Sequence, residues 1–181
     1  MHKKLPNIFI FTDEYNNEIF RNNNINIGIV YRNYNAKNRE TQLSKIAQAC
    51  KKRRYQLFIS NDIKLTYKYK ADGIYIPSFN KTRKFLNLEK KNIKIIGSAH
   101  SQNEIHKKIE QNCNAIFLSP LFYVKKSKKY LDLHKFNYLC LTNKIDFLGL
   151  GGISRNNRKK LKLLYSKGFG GISFFKKKPA S

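Results

Sequence analysis

The chain has 181 residues, of which 37 are Lys or Arg and 11 are Asp or Glu, so the formal net charge is +26. Hydrophobic residues make up 41% of it, enough for a substantial core, which argues against intrinsic disorder. We expect one domain over residues 1–181. The basic start has too short an apolar run for a signal peptide, and no apolar stretch is long enough to cross a membrane.

The positive charge is spread along the whole chain. Lysine-rich runs lie at 51–54, 90–91, 125–129 and 176–178. Strong positive charge is typical of nucleic-acid-binding proteins, because neutralised phosphates release counterions. Arg, however, would be favoured over Lys for bidentate contacts to phosphates or bases. The pattern therefore argues against nucleic-acid binding as the main role and leaves it as the third of three functional hypotheses.

Three cysteines, Cys50, Cys113 and Cys140, lie far apart in the sequence and have no metal-binding spacing. Each falls in a segment that we predict to be helical. We therefore expect buried, reduced thiols and a cytoplasmic protein.

Eight short apolar runs predict β-strands in chain order. Most are continuous in Ile, Phe and Leu instead of alternating with polar residues, which is typical of parallel strands covered by helices. The predicted strands span 7–12, 25–32, 55–60, 73–77, 93–98, 115–119, 145–150 and 169–174.

Helical patterns lie between these strands. In residues 38–52, apolar side chains recur at helical spacing, and Ser101 with Glu104 forms a capping box at the start of another helix. Residues 154–168 predict a helix with an apolar stripe of Leu161, Leu164 and Tyr165, which Gly168 would end.

The eightfold alternation of strand and helix predicts an α/β fold. The closest architecture is a short (β/α)₈ TIM barrel with the last helix missing or truncated, because the chain stops soon after the eighth strand. An open α/β sheet of six or seven strands is the alternative.

Polar residues follow several of the predicted strands, where a barrel carries its chemistry. Asn61 and Asp62 come directly after the third strand, and a carboxylate there is a candidate ligand for a hard metal ion. The alternative for Asp62 is the N-cap of the next helix. His100, after the fifth strand, is a candidate acid or base; the alternative is a surface residue at a helix start.

Two glycine-rich segments, at 149–153 and 168–173, accompany the last two strands. Barrels often bind phosphate through the backbone N–H groups of the loops in this region. The pattern predicts a phosphate site formed by Gly151, Gly152 and Ser173.

The order of these motifs resembles the thiamine-phosphate synthase family, a (β/α)₈ barrel group that includes a thiazole tautomerase branch. The matching segments are IFIFTD (8–13), IVYR (29–32), LFISNDIKLTYKYKADGIYI (57–76), IIGSAHSQNEI (95–105), AIFLSPLF (115–122), GLGGIS (149–154) and GFGGIS (168–173). The resemblance implies a transferase that joins hydroxymethylpyrimidine pyrophosphate to thiazole phosphate and releases pyrophosphate. It also implies Mg²⁺ as cofactor and small-molecule phosphates as partners.

The resemblance assigns roles to residues on the pyrophosphate side. Arg32 matches the arginine that holds the pyrophosphate, Asn61 the asparagine and Asp62 the Mg²⁺-ligating aspartate after the third strand. Ser98 matches the serine after the fifth strand. Lys128 is the choice for the lysine of the sixth loop, with Lys126 as the alternative.

The resemblance also implies that the loop around Gly151 and Gly152 receives the thiazole phosphate, and that Lys176 adds charge to the eighth loop.

Several positions depart from the family pattern. Val30 and Tyr34 replace the Gln and Lys that flank the arginine, and Asn80 is the nearest equivalent of a second metal-binding aspartate. Val124 replaces a threonine, and Ser119–Pro120 occupies the place of the tautomerase histidine. The first hypothesis is therefore a synthase, and the second is a diverged barrel that binds or isomerises a thiazole phosphate.

Overall fold

The protein is a closed barrel of eight parallel strands in sequence order, so the TIM-barrel prediction is confirmed. The computed structural model describes residues 4–21, 26–34, 37–88, 92–125, 127 and 129–171. Pairing of the last strand with the first closes the barrel, with Phe169 opposite Ile8 and Gly171 opposite Ile10. The expected truncation of the last helix concerns residues 172–181, outside the described residues.

The observed strands agree with the predicted ones to within two residues wherever the chain is described. They are β1 (Ile8–Thr12), β2 (Ile27–Tyr31), β3 (Gln56–Ser60), β4 (Gly73–Ile76), β5 (Lys94–Ala99), β6 (Ala115–Leu118), β7 (Asp146–Leu150) and β8 (Gly168–Gly171). The α-helices are α1 (Arg39–Arg53), α2 (Ile63–Lys68), α3 (Gln102–Glu110) and α4 (Asp132–Thr142), and Asn17–Arg21 and Arg158–Leu163 form 3₁₀ helices.

Aromatic rings fill the interior of the barrel. Phe9 makes edge-to-face contacts with Phe58 and Phe117, at centroid distances of 5.4 and 5.1 Å. Edge-to-face geometry is a preferred arrangement of aromatic pairs. Gly28 and Gly73 provide the space, since a Cβ atom at either position would overlap the ring of Phe9 or Phe58. The barrel is thus a packed core with its accessible cavity at one end.

Outside the barrel, the helices cover the strands with apolar side chains. Leu43, Ile46 and Cys50 of α1 are buried against β2 and β3, as their helical spacing predicted. The capping box at the start of α3 forms in part: Ser101 Oγ accepts a hydrogen bond from Glu104 N at 3.4 Å. The Glu104 carboxylate, however, accepts from the backbone N–H of His100 and not from that of Ser101.

Two local predictions were wrong. Residues 154–168 do not form a full helix: only Arg158–Leu163 is helical, as a 3₁₀ segment, Tyr165 is exposed and Gly168 begins β8. Cys113 lies in the turn after α3, while Cys50 and Cys140 are helical as expected. In both places the apolar spacing predicted more helix than the chain forms, because local propensity is a weak guide that the rest of the fold can override.

The three thiols are free; Cys50 and Cys113 are buried, as expected, whereas Cys140 is only partly buried. Burial raises the pKa of Cys113 and of Cys140 to about 12, and it also raises the pKa of Cys50. None of the helices in the described part of the chain combines the length and the apolar character that a membrane span requires.

Candidate active site

The carboxyl ends of the strands surround a cavity of about 490 Å³. Larger hollows of about 590 and 650 Å³ lie elsewhere, beside the start of β7 and between α1 and α2. The cavity at the mouth is the candidate site, because barrel enzymes bind their substrates at this face. Its lining residues are Asp13, Arg32, Asn33, Tyr34, Tyr75, Pro77, Ser78, Phe79, Ser98, His100, Ser119 and Leu150.

Arg32, Ser98 and the acid or base candidate His100 are the predicted residues that line this cavity. Arg32 follows β2, and its guanidinium group makes a bidentate pair with Asp13, which follows β1: Nε to Oδ1 is 3.2 Å and Nη2 to Oδ2 is 2.9 Å. Burial lowers the pKa of Arg32, but the hydrogen bond and charge of Asp13 outweigh burial and raise it above its ordinary value. The guanidinium is therefore charged and held in a fixed plane at the mouth.

Ser98, near the end of β5, accepts a hydrogen bond at 2.9 Å from the hydroxyl group of Tyr75 on β4. Both residues are buried, and burial raises the pKa of Tyr75 to about 12. The pair forms an uncharged polar floor to the cavity. Apart from its place in an apolar strand, nothing in the sequence marks Tyr75 as part of the site.

Two aromatic rings form the rim above this floor. Tyr34 stands where the family pattern has a lysine; its hydroxyl group lies 2.9 Å from Ser60 Oγ, and its ring meets the edge of Phe79 at 5.9 Å. Phe79 is 67% exposed. An exposed ring at the mouth can stack against a planar heterocycle.

His100, after β5, also lines the cavity and pairs with Glu104 of α3. Nδ1 of the imidazole lies 3.0 Å from Glu104 Oε2, the same oxygen that accepts from the His100 backbone N–H at 2.7 Å. A carboxylate at Nδ1 favours the tautomer with a proton there, which leaves Nε2 as a proton acceptor. The geometry keeps His100 as an acid or base candidate.

The predicted metal ligands Asp62 and Asn80, and the predicted catalytic residue Asn61, are not among the residues that line the cavity. Asp62 is the N-cap of α2, and its Oδ1 accepts from Leu65 N at 2.9 Å. Oδ2 of Asp62 lies 3.3 Å from Nη1 of Arg39, at the start of α1. The capping alternative for Asp62 is therefore realised, together with an ion pair that sequence reasoning missed.

Asn61 and Asn80 bind each other. The side-chain amide of Asn80 donates to Asn61 Oδ1, while Asn80 Oδ1 accepts from the backbone N–H and the hydroxyl group of Thr82, at 2.8 and 2.9 Å. Asn61 has a φ of 58°, in the left-handed region that Asn tolerates better than most residues.

These three residues do not fit a divalent cation. Mg²⁺ prefers carboxylate oxygens in octahedral geometry. Asp62 is the one carboxylate of the set, and both its oxygens already accept hydrogen bonds; the Asn80 oxygen is turned toward Thr82. Over the described residues, moreover, no group of three His, Cys, Asp or Glu side chains could hold a metal ion.

The loop after β7 is tied to the loop after β6. Phe122 N donates to Gly151 O at 3.1 Å, and Asn157 Nδ2 donates to Gly152 O at 2.8 Å. Gly152 has a φ of 72°, and a Cβ atom there would overlap the carbonyl group of Phe122. Glycine is thus required at this position for shape, whatever it binds.

The other predicted phosphate-binding residues, Ser173, Lys176, Lys126 and Lys128, lie outside the described residues.

Lys108 of α3 is a fully buried cation beneath the loop after β4. Its Nζ donates to the backbone oxygens of Pro77 and Asn80 at 2.9 and 2.7 Å and to Gln111 Oε1 at 2.8 Å. Gln111 in turn donates to the oxygens of Asn80 and Thr82. Burial lowers the pKa of Lys108 to about 8. The sequence gives no signal for this role, since a lysine pair on a helix is normally solvated.

Comparison with known proteins identifies the family. The family described as "Thiamine monophosphate synthase" matches residues 22–175. A thiamine-phosphate synthase of Prochlorococcus marinus subsp. pastoris is 29% identical over 135 residues, which cover 71% of this chain and 37% of that protein. Another, from Prochlorococcus marinus strain AS9601, is 32% identical over 126 residues and covers 65% of this chain and 34% of its own. The chain spans little more than a third of the length of these curated relatives.

Solved structures agree on the fold. A thiamine phosphate pyrophosphorylase from Pyrococcus furiosus superposes with a TM-score of 0.75 at 19% identity, covering 93% of this chain and 86% of its own. KGPDC from Streptococcus mutans gives a TM-score of 0.65 at 14% identity, covering 97% and 92%. The structural likeness shows the barrel, and the match over residues 22–175 shows more: the chain belongs to the thiamine monophosphate synthase family.

Proposed function

We propose that the protein is a transferase of thiamine biosynthesis, which joins hydroxymethylpyrimidine pyrophosphate to thiazole phosphate and releases pyrophosphate. Family membership and the names of the curated relatives support the proposal. The observation that carries it is Arg32: the motif position matching the family's pyrophosphate-binding arginine lines the cavity at the mouth of the barrel.

The proposed reaction depends mainly on electrostatic stabilisation of the leaving group and on alignment of the two rings, and less on covalent catalysis. Departure of pyrophosphate leaves a stabilised pyrimidine-methyl cation, which the thiazole nitrogen attacks. Fixed cations lower the barrier by stabilising the charge that develops on the leaving group. Holding the two rings face to face removes the entropic cost of their encounter.

Each side of the cavity contributes to this task. Arg32, held in one plane by Asp13, faces the leaving pyrophosphate, and Lys128 or Lys126 of the sixth loop adds charge. Tyr34 and Phe79 at the rim contact the planar rings.

The thiazole phosphate is assigned to the loop of Gly151 and Gly152, with Ser173 and Lys176 from the eighth loop. Since Asn61, Asp62 and Asn80 do not fit Mg²⁺, no step of the proposal passes through a metal ion.

A second candidate function follows from His100. An imidazole on the cavity wall, oriented by Glu104, can move a proton on a bound thiazole phosphate, as an isomerase requires. Val30 and Tyr34 replace the Gln and Lys that flank the arginine in the family pattern, and this second function needs neither of those two residues.

The test incubates the purified protein with both substrates and Mg²⁺ and measures pyrophosphate release. We expect Arg32→Gln to lower the rate by about 10²-fold, as for loss of one preorganised donor to developing charge. Arg53→Gln, the same change at the exposed end of α1, is the matched control and should leave the rate unchanged.

Two outcomes contradict the synthase proposal: no release above background by the wild type, or equal rates for the two variants. Absence of release combined with proton exchange at the thiazole phosphate, lost in His100→Asn, would favour the second candidate.

A further inference from the structure

An arginine occupies the cation position beside Asp62. Arg39 is the first residue of α1, and its guanidinium group lies over the ring of Tyr31 at 5.9 Å. Nη1 reaches Asp62 Oδ2 at 3.3 Å, and Nη2 donates to the backbone oxygen of Ser60 at 2.9 Å. The fork of the guanidinium thus bridges two oxygens at the carboxyl end of β3.

This pair is only partly exposed to solvent, since the side chains of Arg39 and Asp62 are 18% and 26% exposed. A divalent ion at Asp62 would have to share the carboxylate with the guanidinium group of Arg39 or displace that group from it. Like charges at contact distance in a partly desolvated site repel strongly. The nearest second oxygen, on Asn80, is neutral and already accepts two hydrogen bonds.

The guanidinium group of Arg39 is hydrogen-bonded only in part. Its Nε is buried and has no hydrogen-bond partner among the described residues. Buried unpaired donors are rare in folded proteins, because each costs the free energy of its lost hydration. The position of the Arg39 guanidinium group is therefore set by the contacts of its two Nη atoms with Asp62 and Ser60.

The field of this charge extends to the wall of the candidate site. Tyr34 lines the cavity, and its hydroxyl group binds Ser60, whose backbone oxygen binds Arg39. Burial raises the pKa of Tyr34, and the charges of both Arg32 and Arg39 oppose that rise. Two arginines therefore flank the same tyrosine at the mouth.

We propose that Arg39 replaces a divalent cation at Asp62, so that this protein binds the diphosphate of its substrate without a metal ion. The inference deepens the proposed function and rests on it for the identity of the ligand. It assigns to this chain a metal-independent site, in which the guanidinium groups of Arg32 and Arg39 supply the fixed positive charge.

The test uses inorganic pyrophosphate as the probe, in calorimetric titrations of the full chain. We expect pyrophosphate to bind in EDTA, and to bind no more tightly in millimolar Mg²⁺, which itself chelates pyrophosphate, because the site holds no ion. Arg39→Gln should weaken binding in EDTA by about tenfold or more, the size of effect that follows from losing one charge–charge interaction near a protein surface. Arg53→Gln, at the other end of α1, should bind like the wild type.

A second measurement needs no variant. Titration of the wild-type protein with Mn²⁺, followed by electron paramagnetic resonance, should show no site filled below millimolar ion. Arg39→Lys keeps the charge without the fork and should lie between wild type and Arg39→Gln.

The proposal is overturned by any of four results: pyrophosphate binding that EDTA abolishes, no pyrophosphate binding in either condition, stoichiometric Mn²⁺ binding by the wild type, or equal binding by Arg39→Gln and Arg53→Gln. These results are separate from those that decide the proposed function. If the protein binds pyrophosphate in EDTA but forms no product, the proposal of metal-independent binding stands and the proposal of synthase activity fails. If pyrophosphate is released only in the presence of Mg²⁺, the proposal of synthase activity stands and the proposal of metal-independent binding fails.

Discussion

The mouth of the barrel is built differently on its two sides. After β1, β2 and β3 the loops carry ion pairs, Arg32 with Asp13 and Arg39 with Asp62, whose side chains are partly exposed. After β4 to β7 the loops are held by backbone hydrogen bonds, by the buried Lys108 and by Gly152. The ion pairs of the first, charged side are partly exposed, whereas on the second, hydrogen-bonded side the cation that holds the loop after β4, Lys108, is fully buried.

This difference separates binding from shape. Partly exposed ion pairs contribute only about 0–1 kcal/mol to stability, so a phosphate group can take over one partner at small cost. Buried carbonyl groups that lose their donors cost about 1–3 kcal/mol each. Substitutions on the hydrogen-bonded side should therefore lower stability, and substitutions on the charged side should lower ligand binding.

The largest effect should come from Gly152→Ala on the hydrogen-bonded side. A methyl group there overlaps the Phe122 carbonyl at a φ of 72°, so we expect a loss of roughly 2–4 kcal/mol in the free energy of unfolding. Urea titration measures it. Gly151→Ala is the matched control: its Cβ meets Pro120 at 3.0 Å, and its cost should be smaller. Equal losses of unfolding free energy in the two variants would mean that the loop after β7 can shift to accept a methyl group, which would contradict the proposed difference between the two sides of the mouth.

Lys108→Met should change how stability depends on pH. The pKa of Lys108 is about 8 in the folded protein, below its ordinary 10.5, so between these values the unfolded chain binds more protons and wild-type stability rises with pH. Below pH 8 both states are protonated and the folded protein bears the full cost of the buried charge. Relative to the variant, the wild type should therefore gain on the order of 2 kcal/mol from pH 8 to 10.5.

The difference between the two proteins is the quantity to measure, by chemical unfolding at each pH. The thiols of the buried Cys50 and the partly buried Cys140, whose raised pKa values lower stability at high pH, act alike in both proteins. Cys113 and Glu104 are the titratable neighbours that raise the pKa of Lys108. If the difference in unfolding free energy between the wild type and Lys108→Met does not change between these pH values, Lys108 is not a buried cation with a lowered pKa.

The smallest effect on stability should come from Arg32→Gln on the charged side. Its pair with Asp13 is partly exposed, so we expect less than about 1 kcal/mol of lost stability in thermal or urea unfolding. Asp13→Asn, which removes the other partner, should behave alike. A loss above 2 kcal/mol would show that the charged side also fixes the shape of the mouth.

The strands were predictable from the sequence because a strand buried on both faces is a continuous apolar run between polar ends. The same rule placed Arg32 and Ser98 correctly at the mouth, since parallel strands deliver their following residues to one edge. Neither rule predicts which side chains pair with each other. The pairing of Arg39 with Asp62 joins residues 23 apart in the chain and depends on how the loop after β2 leads into α1.

Lys108 shows a second limit of sequence reasoning. It lies next to Lys107 in a polar stretch, where both lysines would be expected to face solvent. Its burial depends on three acceptors that Gln111 and the loop after β4 present together. Only the folded chain brings these acceptors within reach of one ammonium group.

The seam between β1 and β8 has a consequence for biosynthesis. Ile8 on β1 finds its partner Phe169 only after nearly the whole barrel has been translated. At about 5–20 residues per second, ribosomes need roughly 10–30 s to make the intervening chain. Throughout that interval the open backbone edge of the first strand can recruit a foreign strand, which makes a nascent chain of this protein a natural client for chaperones.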